Sequence, residues 1–66
     1  MKEHFDFEDV LELFESYGWK LQRIYGEYRV FIKDNELPWP IPIHNKKVDV
    51  EYVKKFKEFL KERGEI

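Results

Sequence analysis

The sequence predicts an α+β domain of order α-β-β-β-α, a three-stranded antiparallel sheet with two helices packed on one face. Three observations carry this. Apolar side chains recur at helical spacing near both ends of the chain. Two runs between them alternate about a short glycine turn, and a third run carries proline at every second residue. At 66 residues the chain reads as a single domain covering 1–66. A chain this short buries only about 60% of the surface its unfolded form exposes. Six phenylalanines, four tyrosines and two tryptophans supply the dense core it needs.

The first helix is expected from Phe7 to Tyr17. Asp6 is placed to cap it, and Glu8 and Asp9 suit the positive end of its dipole. Phe7, Val10, Leu11, Phe14 and Tyr17 form one apolar stripe, and Gly18 stands where a left-handed residue ends a helix. Strands follow from Trp19 to Tyr25 and from Tyr28 to Lys33, joined through Gly26 and Glu27. Trp19 and Leu21 share one side of the first. Tyr28, Val30 and Ile32 share one side of the second, while Ile24 and Phe31 lie on the opposite sides. Alternation alone leaves open which side meets the helices. Asp34-Asn35-Glu36 is a second turn.

The third run, Leu37 to Ile43, reads Leu-Pro-Trp-Pro-Ile-Pro-Ile. Proline lacks an N–H and is confined to the edges of sheets. With prolines at 38, 40 and 42, every missing donor falls on one side of an extended strand, and Trp39, Ile41 and Ile43 keep theirs for the other. The stretch is therefore expected to be an edge strand that pairs on one side only. A polyproline II ligand for another domain is the rival reading, and the large apolar residues between the prolines weigh against it. The last helix is expected from about Val50 to Arg63, capped by Asp49 and ended by Gly64. Val53, Phe56 and Leu60 form its apolar stripe, widened by Tyr52 and Phe59.

Composition narrows the functional classes. Without cysteine there is no disulfide framework and no cysteine-ligated zinc. A small domain without cross-links suits the cytoplasm, which is the expected location. No apolar run approaches the ~20 residues that span a bilayer, and the first residues do not form a signal core. Dense charge of mixed sign is a pattern common among thermophile proteins. There is no glycine-rich phosphate loop and no acid close to His44 that suggests a metal site, so neither cofactor nor metal is expected. The net charge of −2 hides an asymmetry. Residues 1–18 hold one lysine against six acids, whereas residues 44–63 hold seven cations against four acids. Two solvated helix faces explain this without invoking partners.

Few residues carry chemistry. His4 lies near a terminus and is read as solvated. His44 opens the polar loop His44-Asn45-Lys46-Lys47, and a histidine at a strand end beside two lysines is suited to proton transfer near neutral pH. The alternative is a surface histidine bonded to its own loop. On the hairpin, Lys20, Arg23, Arg29 and Lys33 alternate with aromatic residues, the combination that single-stranded RNA binding uses.

Gly18-Trp19 after the first helix, Gly26-Glu27-Tyr28-Arg29-Val30-Phe31 at the hairpin and Pro42-Ile43-His44 before a polar loop and a basic helix occur in a familiar order. From about residue 7 to residue 64 the chain resembles the HicA-type toxin family. That family carries a glycine–aromatic pair, a Gly-Ser-His or Gly-Gly-His hairpin motif and a Pro-x-His strand end. The resemblance implies a double-stranded-RNA-binding-domain-like fold. It also implies an mRNA interferase of a toxin–antitoxin pair, with RNA as ligand and a HicB-type antitoxin as partner.

The histidine of the hairpin motif is the family's expected catalytic residue. Tyr28 occupies that position here, Glu27 replaces the small residue before it, and Glu51-Tyr52 stands where Gly-Thr is often found. Metal-free RNA cleavage needs a base for the 2′-hydroxyl and an acid for the leaving oxygen. Tyrosine, with a pKa near 10, is only about one part in a thousand ionised at pH 7. Loss of a general acid–base group costs about 10²–10⁴-fold in rate. The expectation is an RNA-binding protein whose nuclease activity is weak or absent. Residual cleavage would rest on His44 and Tyr28, with Arg29, Lys46, Lys47 and Lys20 holding RNA. The alternative is a non-catalytic protein-interaction domain on the same fold.

Overall fold

The computed structural model describes residues 3–66. The elements are β1 (His4–Asp6), α1 (Phe7–Ser16), β2 (Lys20–Tyr25), β3 (Tyr28–Ile32), β4 (Trp39–Pro42), β5 (Lys47–Asp49) and α2 (Val50–Glu62). The α+β class holds, with two helices and an antiparallel sheet in the order β2-β3-β4. Among the described residues no helix is long and apolar enough to cross a membrane.

β1 and β5 form a second, two-stranded sheet that was not expected. Each is three residues long with one apolar residue at its centre, Phe5 or Val48. Alternation cannot register over so short a run, and the pairing joins segments far apart in the sequence, Asp6 and Lys47 being 41 residues apart. His4, read as merely solvated, is a strand residue paired with Asp49. Lys47, read as loop, begins β5.

Both helices spring directly from these short strands, through Phe5-Asp6-Phe7 and Val48-Asp49-Val50. Asp49 caps α2 as expected, its carboxylate accepting from the Glu51 N–H at 3.0 Å. Asp6 occupies the corresponding position of α1 without a side-chain cap bond. Its carboxylate binds Lys47 Nζ across the small sheet instead. The first N–H of α1, on Phe7, donates to the Lys46 carbonyl at 2.9 Å.

α1 ends as its sequence requires. Gly18 takes a φ of +89°, a left-handed value that costs glycine nothing. Its N–H donates to Glu15 O at 3.1 Å, and the Trp19 N–H donates to Phe14 O at 3.0 Å. This pair of bonds satisfies carbonyls that the helix leaves open. It also folds Trp19 back against Phe14, with ring centroids 6.0 Å apart.

The question of which face meets the helices has a clear answer. Trp19, Phe31, Ile41 and Ile43 are buried with Val10 and Phe14 of α1 and Val53, Phe56 and Leu60 of α2. Phe14 is the hub, stacked on Phe31 at 4.3 Å and on Phe56 at 3.8 Å. Each such ring contributes about 1.5–3 kcal/mol by leaving water. Trp19 Nε1 is buried without an acceptor. The indole makes T-shaped contacts with Phe14, Trp39, Phe56 and Phe59, an arrangement that sets a positive ring edge against a negative ring face.

β4 is the edge strand its prolines announce. Pro40 faces Val30 and Pro42 faces Tyr28, while Trp39 and Ile41 face Phe31 and Arg29. Opposed residues in an antiparallel ladder alternate between bonded and non-bonded pairs. The prolines therefore occupy non-bonded pairs, and the Ile43 N–H continues the bonded series to Glu27 O at 2.7 Å. Pro38 lies ahead of the strand.

Candidate nucleic-acid interface

Two tight turns lie side by side at one end of the main sheet. In the first, Gly26 and Glu27 join β2 to β3, and Gly26 has φ +53°. In the second, His44 and Lys47 exchange backbone bonds, His44 N–H to Lys47 O at 3.0 Å and Lys47 N–H to His44 O at 2.9 Å. Asn45 and Lys46 between them have φ of +52° and +62°. This is the signature of a type I′ turn, whose second position favours glycine. A lysine held there costs about 1–2 kcal/mol. The Phe7 N–H fastens the turn to the start of α1 through the Lys46 carbonyl.

A cleft of about 240 Å³ runs between the turns, with Phe7, Glu27, Arg29, His44, Asn45 and Lys46 among its walls. Arg29 is held in place. One of its terminal N–H groups donates to Gly26 O at 3.0 Å, and its guanidinium carbon lies 5.8 Å from the centre of the Phe7 ring. A guanidinium has five donors, so several remain for an incoming acceptor. His44 Nδ1 stands 3.8 Å from Glu27 Oε1, with side chains 81% and 73% exposed. Histidine and acid thus meet in open solvent rather than in a dry, ordered pair.

The residues singled out in the sequence separate into groups. His44, Arg29 and Lys46 line the cleft together. Lys47 is held by Asp6. Tyr28 is half exposed on the sheet face away from the helices, in register with Tyr25 and Pro42, and is not among the cleft walls. Lys20 is at the far end of β2, opposite Ile32, roughly 16 Å along the strand from Tyr25. The candidates for proton transfer, His44 and Tyr28, therefore do not meet in this cleft.

Phe7 and Asn45 belong to the cleft although sequence reasoning passed over them. Phe7 was assigned to the core stripe, and nothing in the sequence showed that the Asn45-Lys46 turn would dock on it. Tyr25 ends its predicted strand, and Tyr-Gly-Glu-Tyr carried the signal for its pairing with Tyr28: two tyrosines flanking a two-residue loop are opposed on one face. Among the described residues no three His, Cys, Asp or Glu side chains gather into a metal-holding group. No protein-family model, curated protein or solved structure matches the chain.

Proposed function

We propose that this domain binds RNA at the cleft between the two turns and cleaves it slowly or not at all. The observation that carries the reading is the convergence of Arg29, Lys46 and His44 on one cleft, with Arg29 oriented in advance by Gly26 and Phe7. A fixed guanidinium beside a lysine is a phosphate-binding pair, one planar and bidentate, the other a mobile point charge. Slow cleavage follows from what faces them. Glu27 presents a negative charge to an approaching phosphate, and the cleft's proton-transfer candidates, His44 and Glu27, are exposed to solvent rather than held in a dry, ordered pair. The resemblance to HicA-type toxins supports RNA as the ligand. It makes a HicB-type antitoxin the partner expected to regulate the domain.

The test is a labelled single-stranded RNA followed by anisotropy and on a denaturing gel. Arg29→Ala is expected to weaken binding about tenfold, the loss of one charge-assisted contact, with the RNA intact throughout. Rapid cleavage by the parent that His44→Ala abolishes would refute the slow-cleavage reading. Absence of binding would refute the function itself.

A further inference from the structure

We propose that the face of the main sheet turned away from the helices is a stacking platform for single-stranded nucleic acid. The inference rests on the RNA-binding reading above and names the surface and the strandedness of the ligand. Opposed residues in an antiparallel pair share a face, so the register defines what this face presents. Tyr25, Tyr28 and Pro42 form one row, Arg23, Val30 and Pro40 the next, and Lys20 with Ile32 the last. Tyr25 and Tyr28 are 57% and 50% exposed.

A β-bulge assembles this surface. In a regular strand Lys20 and Arg23 would point to opposite sides. The register shift between Leu21 and Arg23 brings Lys20, Arg23 and Tyr25 to the same side. Arg23 then lies over Tyr25, its guanidinium carbon 5.8 Å from the ring centre and one N–H donating to the Tyr25 hydroxyl. Ring and cation are thus oriented before any ligand arrives.

Charge selects the occupant. This face carries Lys20 and Arg23 and not one acid, with Arg29 on the opposite face toward the cleft, although the whole chain has a net charge of −2. The acids lie on the helices, the turns, the small sheet and the irregular ends of the chain. A polyanion with exposed ring faces matches cations interleaved with tyrosines. A duplex hides its base faces within the stack, so the ligand is single-stranded. A further β-strand is a poor fit: prolines remove donors from the β4 edge, and a bulge with two cations guards β2. The tyrosine row ends at Glu27 and Ile43, beside the cleft. Stacked bases would therefore leave the adjoining backbone near Arg29 and Lys46.

The test uses a fluorescein-labelled oligouridine and the same sequence annealed to its complement. Tyr25→Ser and Tyr28→Ser are each expected to weaken single-strand binding about 5- to 150-fold, the range for one lost stack, with circular dichroism unchanged. Arg23→Gln should lower the slope of log K against log salt by about 0.7. The duplex should bind more weakly than the single strand. A double tyrosine variant that binds within twofold of the parent, while Arg29→Ala still weakens binding, overturns the platform and leaves the cleft reading standing. A parent that binds no oligonucleotide overturns both. A parent that binds none but forms a dimer dissociated by the tyrosine changes would assign the face to a second copy of the chain, and the proposal fails.

Discussion

Lys46 sits in a conformation that suits glycine, at the second position of a type I′ turn, and its side chain borders the cleft. Relief of the left-handed strain, less the entropy lost by glycine, should make Lys46→Gly more stable by about 0.5–1 kcal/mol. Urea denaturation checks this through the midpoint at constant slope. The same variant should lose about 0.7 from the salt slope of RNA binding, because one phosphate contact disappears. Gain in stability with loss of binding would mark the residue as kept for charge rather than for folding. Glu27 works in the opposite sense. It stands 3.8 Å from His44 and opposes any phosphate that enters. Glu27→Gln is expected to raise RNA affinity about 1.5- to 5-fold, the size of one exposed charge interaction, and a titration against the parent measures it. The departure at Tyr28 was visible in the sequence. Its position on the open sheet face rather than in the cleft was not, because that depends on which side of β3 the helices cover.

Among the elements, the two helix starts look alike in sequence and differ in energetics. Asp49 caps α2 through its carboxylate, whereas Asp6 gives its carboxylate to Lys47. Asp49→Ala should therefore cost about 1 kcal/mol, and Asp6→Ala no more than an exposed ion pair, about 0–1 kcal/mol. Thermal or urea unfolding of the pair distinguishes them, and equal losses would show that the caps are equivalent. Phe56→Ala removes the ring stacked on Phe14 at 3.8 Å and should cost about 3–5 kcal/mol. That is a large part of the 5–15 kcal/mol that holds a typical domain together. Both helices, the hairpin and the proline edge were legible because each is signalled locally, by spacing, by glycine or by a missing N–H. β1 and β5 were not, since three-residue strands such as His4-Phe5-Asp6 exist only through their partner. The bulge between Leu21 and Arg23 was equally hidden. Without it the alternation of β2 assigns Arg23 and Tyr25 to the wrong side.

Across the whole molecule, the organising feature is separation of charge. A chain of net charge −2 keeps its acids off the main sheet and leaves three cations there, with Lys46 at the adjoining turn. Composition alone gave no hint of a basic surface. The sequence did disclose cations among aromatics on the hairpin, but only the fold sorts them: Lys20 and Arg23 lie on the outer face, Arg29 turns into the cleft and Lys33 pairs with Glu65. The net charge works against long-range attraction of a polyanion, so binding must arise from local contacts that release counterions. The direct test is the affinity for single-stranded RNA, measured by anisotropy, between about 50 and 200 mM salt. With up to four phosphates neutralised by Lys20, Arg23, Arg29 and Lys46, affinity should fall about 20- to 50-fold over that range. Binding that ignores salt, or no binding at the lower concentration, would contradict the account.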